Sequence, residues 1–576
     1  MFFSLTTLCA GSVLVAQSNP RIVRDIQPGG LSSIPDDFVD FFGRLMFRAS
    51  APGLGHELHV TDGTADGTVL VTDLYPGLSS GFPREPVLLG GRAFFSARRG
   101  NNEGTELWAS DGTKNGTVLV KDISTTGSGQ PRNLVAGADT IYFTAATPAT
   151  GEELWASNGS DPTTRMVLDI VAGSTSSAPR DLTVAKNRVF FTASTPGEGR
   201  ELWVSDGTPQ GTHLVLDIVP GAASSGVSNL VALDSVVYFV ARHPTKGAEV
   251  WISNGTASGT GVIKDIFEGG GSSNPVGLTR VDDTIYFFAT DGKHGAPDLW
   301  RTEPVVGSTK MVADLTPAGR GALFGETLAV GPLLFFAMRT AAEGLELWRS
   351  DGTPLGTGLV MDIRPGPEDG APHNMTAYGA RRLVFAANDG ATGVEPWITQ
   401  GLTKNTVRLG DLRAGPASSS PGPFLTSGSI LYFRAQTDLG SELWRYDFGA
   451  VTTPIGRGCG RDDRIPTMLT SDPVLGRNLE IQGRCAFGNA TCVVQLGVLA
   501  RYDFRILGCQ PYLDLLVPYQ PVAFGTANGG RWGATLFLPN QPSLAGLRVA
   551  LWTWIFPTDA KRGFDTTNAV QLTLGQ

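Results

Sequence analysis

An Asp followed by an aliphatic residue recurs at Asp25, Asp73, Asp122, Asp169, Asp217, Asp265, Asp314, Asp362 and Asp411, a period of roughly 48 residues. An acidic residue two before an aromatic recurs in step: Glu106/Trp108, Glu153/Trp155, Glu201/Trp203, Glu249/Trp251, Asp298/Trp300, Glu346/Trp348, Glu395/Trp397 and Glu442/Trp444, with Glu57/His59 as a ninth pair. A period of that length holding several strands marks the blades of a β-propeller. Within residues 229–266 four strands are expected, a to d from the axis outwards: Asn229–Leu233, Val236–Ala241, Ala248–Ser253 and Gly261–Ile266. The 74 Gly and 37 Pro in 576 residues favour many short strands joined by turns over long helices. Adjacent bulky residues such as Tyr142-Phe143, Phe190-Phe191 and Tyr286-Phe287 point to opposite faces of a strand, so each sheet should be buried on both sides.

From the strand c aromatic to the strand d Asp is always 14 residues, whereas from that Asp to the next aromatic varies between 33 and 35. The c–d hairpin is therefore fixed, and length variation falls elsewhere. In an antiparallel blade the b–c and d–a connections share one face, which becomes the candidate ligand surface. Its b–c loops differ in chemistry: Arg98, Arg99, Asn101 and Asn102 in one, His243 and Lys246 in another, Asp291, Lys293 and His294 in a third. The repeats begin with a lone strand d (Arg21–Ile26) and end after a strand c (Glu442–Tyr446). Ring closure, with the N-terminal strand completing the last blade, explains both and gives nine blades. An eight-blade ring with a displaced terminal unit is the alternative.

The run Glu201-Leu202-Trp203-Val204-Ser205-Asp206-Gly207-Thr208 resembles the signature of the bacterial ELWxxDGT repeat family. The resemblance covers residues 21 to about 447, with full matches at 106–113, 201–208 and 346–353. Asn158 and Asn254 replace the Asp, His59 replaces the Trp, and the Asp-Gly-Thr is lost after Trp300, Trp397 and Trp444. The resemblance implies a secreted or surface repeat protein and no particular activity.

Three regions are expected. Residues 1–18 carry no charge, and Ala16-Gln17-Ser18 puts small residues before a signal-peptidase cut at Asn19, which points to export. Residues 19–448 form the propeller. Residues 449–576 lose the period and read as a small β-sandwich, whose ending is loosely similar to C-terminal modules of secreted bacterial proteins. This last region holds Cys459, Cys485, Cys492 and Cys509, an even set that reads as two disulfides in an exported protein. Cys485–Cys492 with Cys459–Cys509 is expected, and Cys459–Cys485 with Cys492–Cys509 is the alternative. A four-thiolate zinc site lacks the short ligand spacing it usually shows.

A net charge of −9 leaves no electrostatic footprint for nucleic acid, and no apolar run after the leader is long enough to cross a bilayer. Neither a nucleophile elbow flanked by strand and helix, nor a P-loop, nor a His-Glu-x-x-His motif is present, and the His residues are dispersed. The turn aspartates Asp62, Asp111, Asp206 and Asp351 admit two readings, as Ca²⁺ ligands or as acceptors of N–H groups in their own turns. Asn158 and Asn254 at equivalent places favour the second, and the repeat Trp favour packing between blades. The expected function is a secreted, non-catalytic binding protein for an extracellular protein or glycan, without a cofactor. An extracellular polysaccharide hydrolase or lyase would need carboxylates, His or Arg clustered where the repeat is broken. A self-associating surface component is the other rival.

Overall fold

Four short antiparallel strands joined by tight turns cannot bury two apolar faces alone, and the structure solves this by repetition. The computed structural model describes residues 19–447, except 101–103, 295–296, 306, 316–323 and 380, together with the strand backbones of the C-terminal region. Nine four-stranded antiparallel sheets, each in the order a-b-c-d, pack side by side with their first strands in contact around an axis. In blade 5 the strands are Ser228–Leu233, Val236–His243, Gly247–Ser253 and Thr260–Val262. The ninth blade takes Phe424–Ser427, Ile430–Thr437 and Gly440–Asp447 from the end of the repeat region and Arg21–Arg24 from its start. The ring is thus closed by the N-terminal strand, and the eight-blade alternative is excluded.

Strand d is shorter than the sequence suggests. In blade 5 it stops at Val262 rather than Ile266, and the N-terminal strand stops at Arg24 rather than Ile26. The physical reason is a competing acceptor: the N–H groups of Ile266 and Ile26 donate to the carboxylates of Glu249 and Glu442. The repeat Asp residues consequently open the d–a crossing instead of ending a strand.

The core lies between blades. Phe190 and Phe191 are both fully buried, but on opposite sides of blade 4. Phe190 packs with Val237, Phe239 and Trp251 of blade 5, and Phe191 with Tyr142, Leu154 and Ala156 of blade 3. Each such ring, fully buried, contributes about 1.5–3 kcal/mol. At the closure, Val23, Tyr432 and Leu443 of blade 9 meet Leu45, Phe47 and Ala49 of blade 1. Ser427 Oγ also donates to Asp40 Oδ1 across this seam at 2.6 Å.

The C-terminal strands, among them Asn478–Arg484, Asn489–Val498, Gln520–Asn528 and Arg548–Pro557, pair in a nine-stranded antiparallel sheet. The leader 1–18 and the side chains of Cys459, Cys485, Cys492 and Cys509 lie outside the described part. Among the described residues no helix is long and apolar enough to cross a membrane.

Deleting residues 19–27 should lower the melting temperature markedly. It exposes the edge of Gly440–Asp447 and removes the Ile26 N–H from Glu442. A calorimetric scan unchanged by the deletion would contradict closure through this strand.

Candidate functional site

The two ends of the blades are built differently. At the c–d end one set of bonds repeats. Ser205 Oγ accepts the Gly207 N–H and pairs with Thr212 Oγ1, while Asp206 Oδ1 accepts both N–H and Oγ1–H of Thr208. Asp62, Asp111 and Asp351 hold Thr64, Thr113 and Thr353 in the same way, and Asn254 holds Thr256. Asn158 Oδ1 instead accepts the hydroxyls of Ser160 and Thr163. The Thr hydroxyl and N–H keep Asp62 and Asp111 below the usual carboxylate range. Each aspartate thus spends one oxygen on its own turn.

At the b–c end the acidic residue before each Trp turns inward. Glu249 is fully buried, and accepts from the N–H groups of Ile266 (3.3 Å) and Ser273 (3.1 Å) and from Ser273 Oγ (2.6 Å). The same clasp on the d–a crossing, 17 and 23 or 24 residues on, is made by Glu57, Glu106, Glu153, Glu201, Glu346 and Glu395. Glu442 makes it with Ile26 and Ser33 across the closure. The residue after the second clasped N–H is left-handed, as at Ile34, Phe82, Gln130, Ala178, Asn274, Ala371 and Ser420, with φ between 45° and 48°. Burial, opposed by the clasped N–H groups, pushes Glu57, Glu106 and Glu346 up to about 7.

On this same end the candidate ligand residues project from separate hairpins. Arg98 is exposed, with its guanidinium 5.2 Å from the centre of the Tyr75 ring. Arg99 is exposed, and Asn101 lies outside the described residues. His243 packs on Trp251 with ring centres 6.0 Å apart, and Lys246 is exposed. Blades 5 and 6 are neighbours, so His243 and Lys246 share one sector with Asp291, Lys293 and His294, whereas Arg98 and Arg99 lie three blades away.

Blade 6 departs from the pattern most. After its strand b comes Asp291, whose Oδ1 accepts the N–H groups of Lys293 (2.8 Å) and His294 (3.2 Å). Asp291 Oδ2 lies 3.0 Å from His294 Nδ1. Asp298 stands where the other blades have Glu and, one methylene shorter, it holds the Leu315 N–H with Oδ1 at 3.2 Å. Its Oδ2 is buried, has no hydrogen-bond partner among the described residues, and lies 3.7 Å from His294 Nδ1. Burial pushes Asp298 up to about 6, and the bond from Asp291 raises His294. Sequence reasoning found Asp291 and His294 but grouped Asp298 with the repeat carboxylates. The signal was its identity as the single Asp among nine.

Also missed were the residues around the axis. Asp37, Glu85, Asn133, Asp181, Asn229 and Asn374 occupy a left-handed bulge in strand a, with φ of 52° to 58°. Glu85, Asn133 and Asp181 line a cavity of about 460 Å³. Their signal was a second roughly 48-residue period in residues that tolerate positive φ.

No family model matches the sequence, and no curated protein matches it. Among solved structures, the chain is similar to a prolyl endopeptidase (11% identity, TM-score 0.35, covering 70% of this chain and 54% of that one). It is also similar to a puromycin-hydrolysing peptidase of Mycobacterium tuberculosis (10%, TM-score 0.33, 63% and 60%) and to Saccharomyces cerevisiae Sqt1 (9%, TM-score 0.32, 65% and 94%). The chain spans little more than half the length of the two peptidases.

The clasps set a pH dependence. Glu57, Glu106 and Glu346 move from 4.5 unfolded to about 7 folded, so the folded state binds more protons between those values. Their stabilisation is complete below 4.5 and is lost as pH rises to 7. Buried His59, lowered from 6.5 to about 4, has the opposite slope, and His56 is lowered too. The carboxyls outnumber them, so the melting temperature should be higher at pH 5.5 than at pH 7.5 by scanning calorimetry; a lower value at pH 5.5 would refute this.

For the turn aspartates, Asp206→Asn should cost little, because Asn makes the same turn bonds. Asp206→Ala should cost about 1 kcal/mol by chemical denaturation. If Asp206 and its equivalents ligate Ca²⁺, both variants lose stability and chelation lowers the wild-type melting temperature by many degrees.

Proposed function

We propose that this is an exported, non-catalytic binding protein that engages an extracellular protein or glycan through the b–c/d–a end of its propeller. The observation that carries this reading is the contrast between the blade ends. The c–d turns of blades 1, 2, 4, 5 and 7 satisfy their own polar groups with one repeated bond set. The b–c hairpins instead present different exposed groups in different blades: Arg98 in blade 2, Lys246 in blade 5, Lys293 and His294 in blade 6. A rigid scaffold with divergent loops on one end suits recognition. The uncharged leader-like segment 1–18 and the resemblance to ELWxxDGT repeat proteins support an extracytoplasmic site for that binding.

The test is an array of glycans and extracellular proteins probed with the purified chain. For any ligand retained, Lys246→Glu combined with Lys293→Glu should weaken binding at least tenfold. Lys114→Glu combined with Lys186→Glu, exposed on the opposite end, should leave it unchanged. Equal losses from the two pairs would overturn the assignment of the face, and retention of no ligand would overturn the binding reading.

A further inference from the structure

We propose that Asp291, His294 and Asp298 of blade 6 form a binding site for one divalent transition-metal ion, with Zn²⁺ the best fit. One atom from each residue, an imidazole nitrogen and two carboxylate oxygens, lies within 4.8 Å of the others. Zinc bonds of about 2.0–2.2 Å place tetrahedral ligands roughly 3.3 Å apart. Two of the three pairs are already near that spacing, His294 Nδ1 to Asp291 Oδ2 at 3.0 Å and to Asp298 Oδ2 at 3.7 Å.

Proximity alone would describe an ordinary ion pair, but Asp298 adds an independent observation. Its side chain is 0% exposed, and among the described residues Oδ2 has no hydrogen-bond partner although it faces the imidazole. A buried carboxylate oxygen left without a donor forfeits its solvation with nothing in return. A cation at the centre of the three ligands would supply the missing partner.

Blade 8 provides an internal control. Its loop repeats the Asp-Gly turn, with Asp389 Oδ1 accepting the N–H groups of Ala391 and Thr392. There Thr392 takes the place of the histidine, the other Asp389 oxygen pairs with Arg408 at 2.8 Å, and Glu395 completes its clasp with Leu412 and Ser419. Among the described residues, blade 6 differs in three coordinated ways: a histidine in the turn, no arginine bonded to Asp291 Oδ2, and a shortened acid with an oxygen that accepts no hydrogen bond.

The donor set decides the class of ion. Ca²⁺ and Mg²⁺ prefer oxygen ligands, whereas an imidazole nitrogen suits zinc and its first-row neighbours. Two backbone N–H groups fix Asp291, and the Leu315 N–H fixes Asp298, so both carboxylates are oriented before metal arrives. His294 is exposed, which leaves a fourth position for water or for a donor atom of a bound molecule.

The full chain, stripped with chelator, should bind ZnCl₂ at this site by isothermal titration. His294→Ala and Asp291→Asn, which keeps the turn, should each weaken that binding at least tenfold. Lys293→Ala should retain it, and Ca²⁺ should not compete. Circular dichroism melts verify that the variants fold. Co²⁺ substitution separates this site from the C-terminal cysteines, since thiolate ligands give an intense charge-transfer band and oxygen and nitrogen ligands do not. No zinc binding, or binding equal in wild type and His294→Ala, or only thiolate-type Co²⁺ spectra would each overturn the proposal.

Discussion

The buried carboxylate ahead of the strand c aromatic is the interaction on which the ring depends. Its oxygens capture N–H groups at both ends of the d–a crossing, so the chain leaving one blade is tied to the blade it leaves. That grip holds a left-handed residue at the entry to the next blade, even where it is Ile34 or Phe82. Such a conformation costs a non-glycine residue about 1–3 kcal/mol and persists only where its surroundings over-determine it. Here they do: the Phe82 N–H bonds His56 O, and the preceding Gly81 N–H bonds Glu57. In the ninth blade the same local device becomes the longest-range link in the ring. Glu442 grips Ile26 and Ser33, more than 400 positions earlier in the chain.

Apolar packing then follows from the placement of the blades. Because each crossing is fixed, paired aromatics such as Phe190-Phe191 reach the clusters on either side of one sheet. The repeat aromatic stacks on the strand b Phe, as Trp251 does on Phe239 with ring centres 6.4 Å apart. His59 takes the Trp position against Phe47 beside the closing seam. It is buried there, and burial holds it well below its ordinary value. The smaller ring bonds the backbone of its own strand, Nδ1 to Glu57 O at 3.0 Å.

The repeat, the four strands of a blade and the N-terminal closure were legible in the sequence because each leaves a periodic trace. The partners of the glutamates were not legible, since a residue 24 positions away has no local signature. Nor were the ends of strand d, because an aliphatic run such as Gly261–Ile266 reads as strand until the Glu249 acceptor is seen. The divergent loops were legible as chemistry that varies between blades. Asp298 was hidden because it sits in register with its glutamate counterparts, and its difference is a single methylene whose consequence is three-dimensional.

That methylene shows how a repeat fold can acquire a site. A Glu in this place spends both oxygens on the crossing, so nothing remains for a ligand. Shortening it to Asp keeps the Leu315 N–H and frees one oxygen at the b–c end, where His294 stands. The loss to the scaffold is confined, because each blade contacts only its neighbours and stability is close to a sum of local terms. Eight intact clasps and the flanking interfaces still hold the ring. A single blade can therefore give up part of its structural bonding to chemistry, which a fold whose core depends on one unique carboxylate could not do.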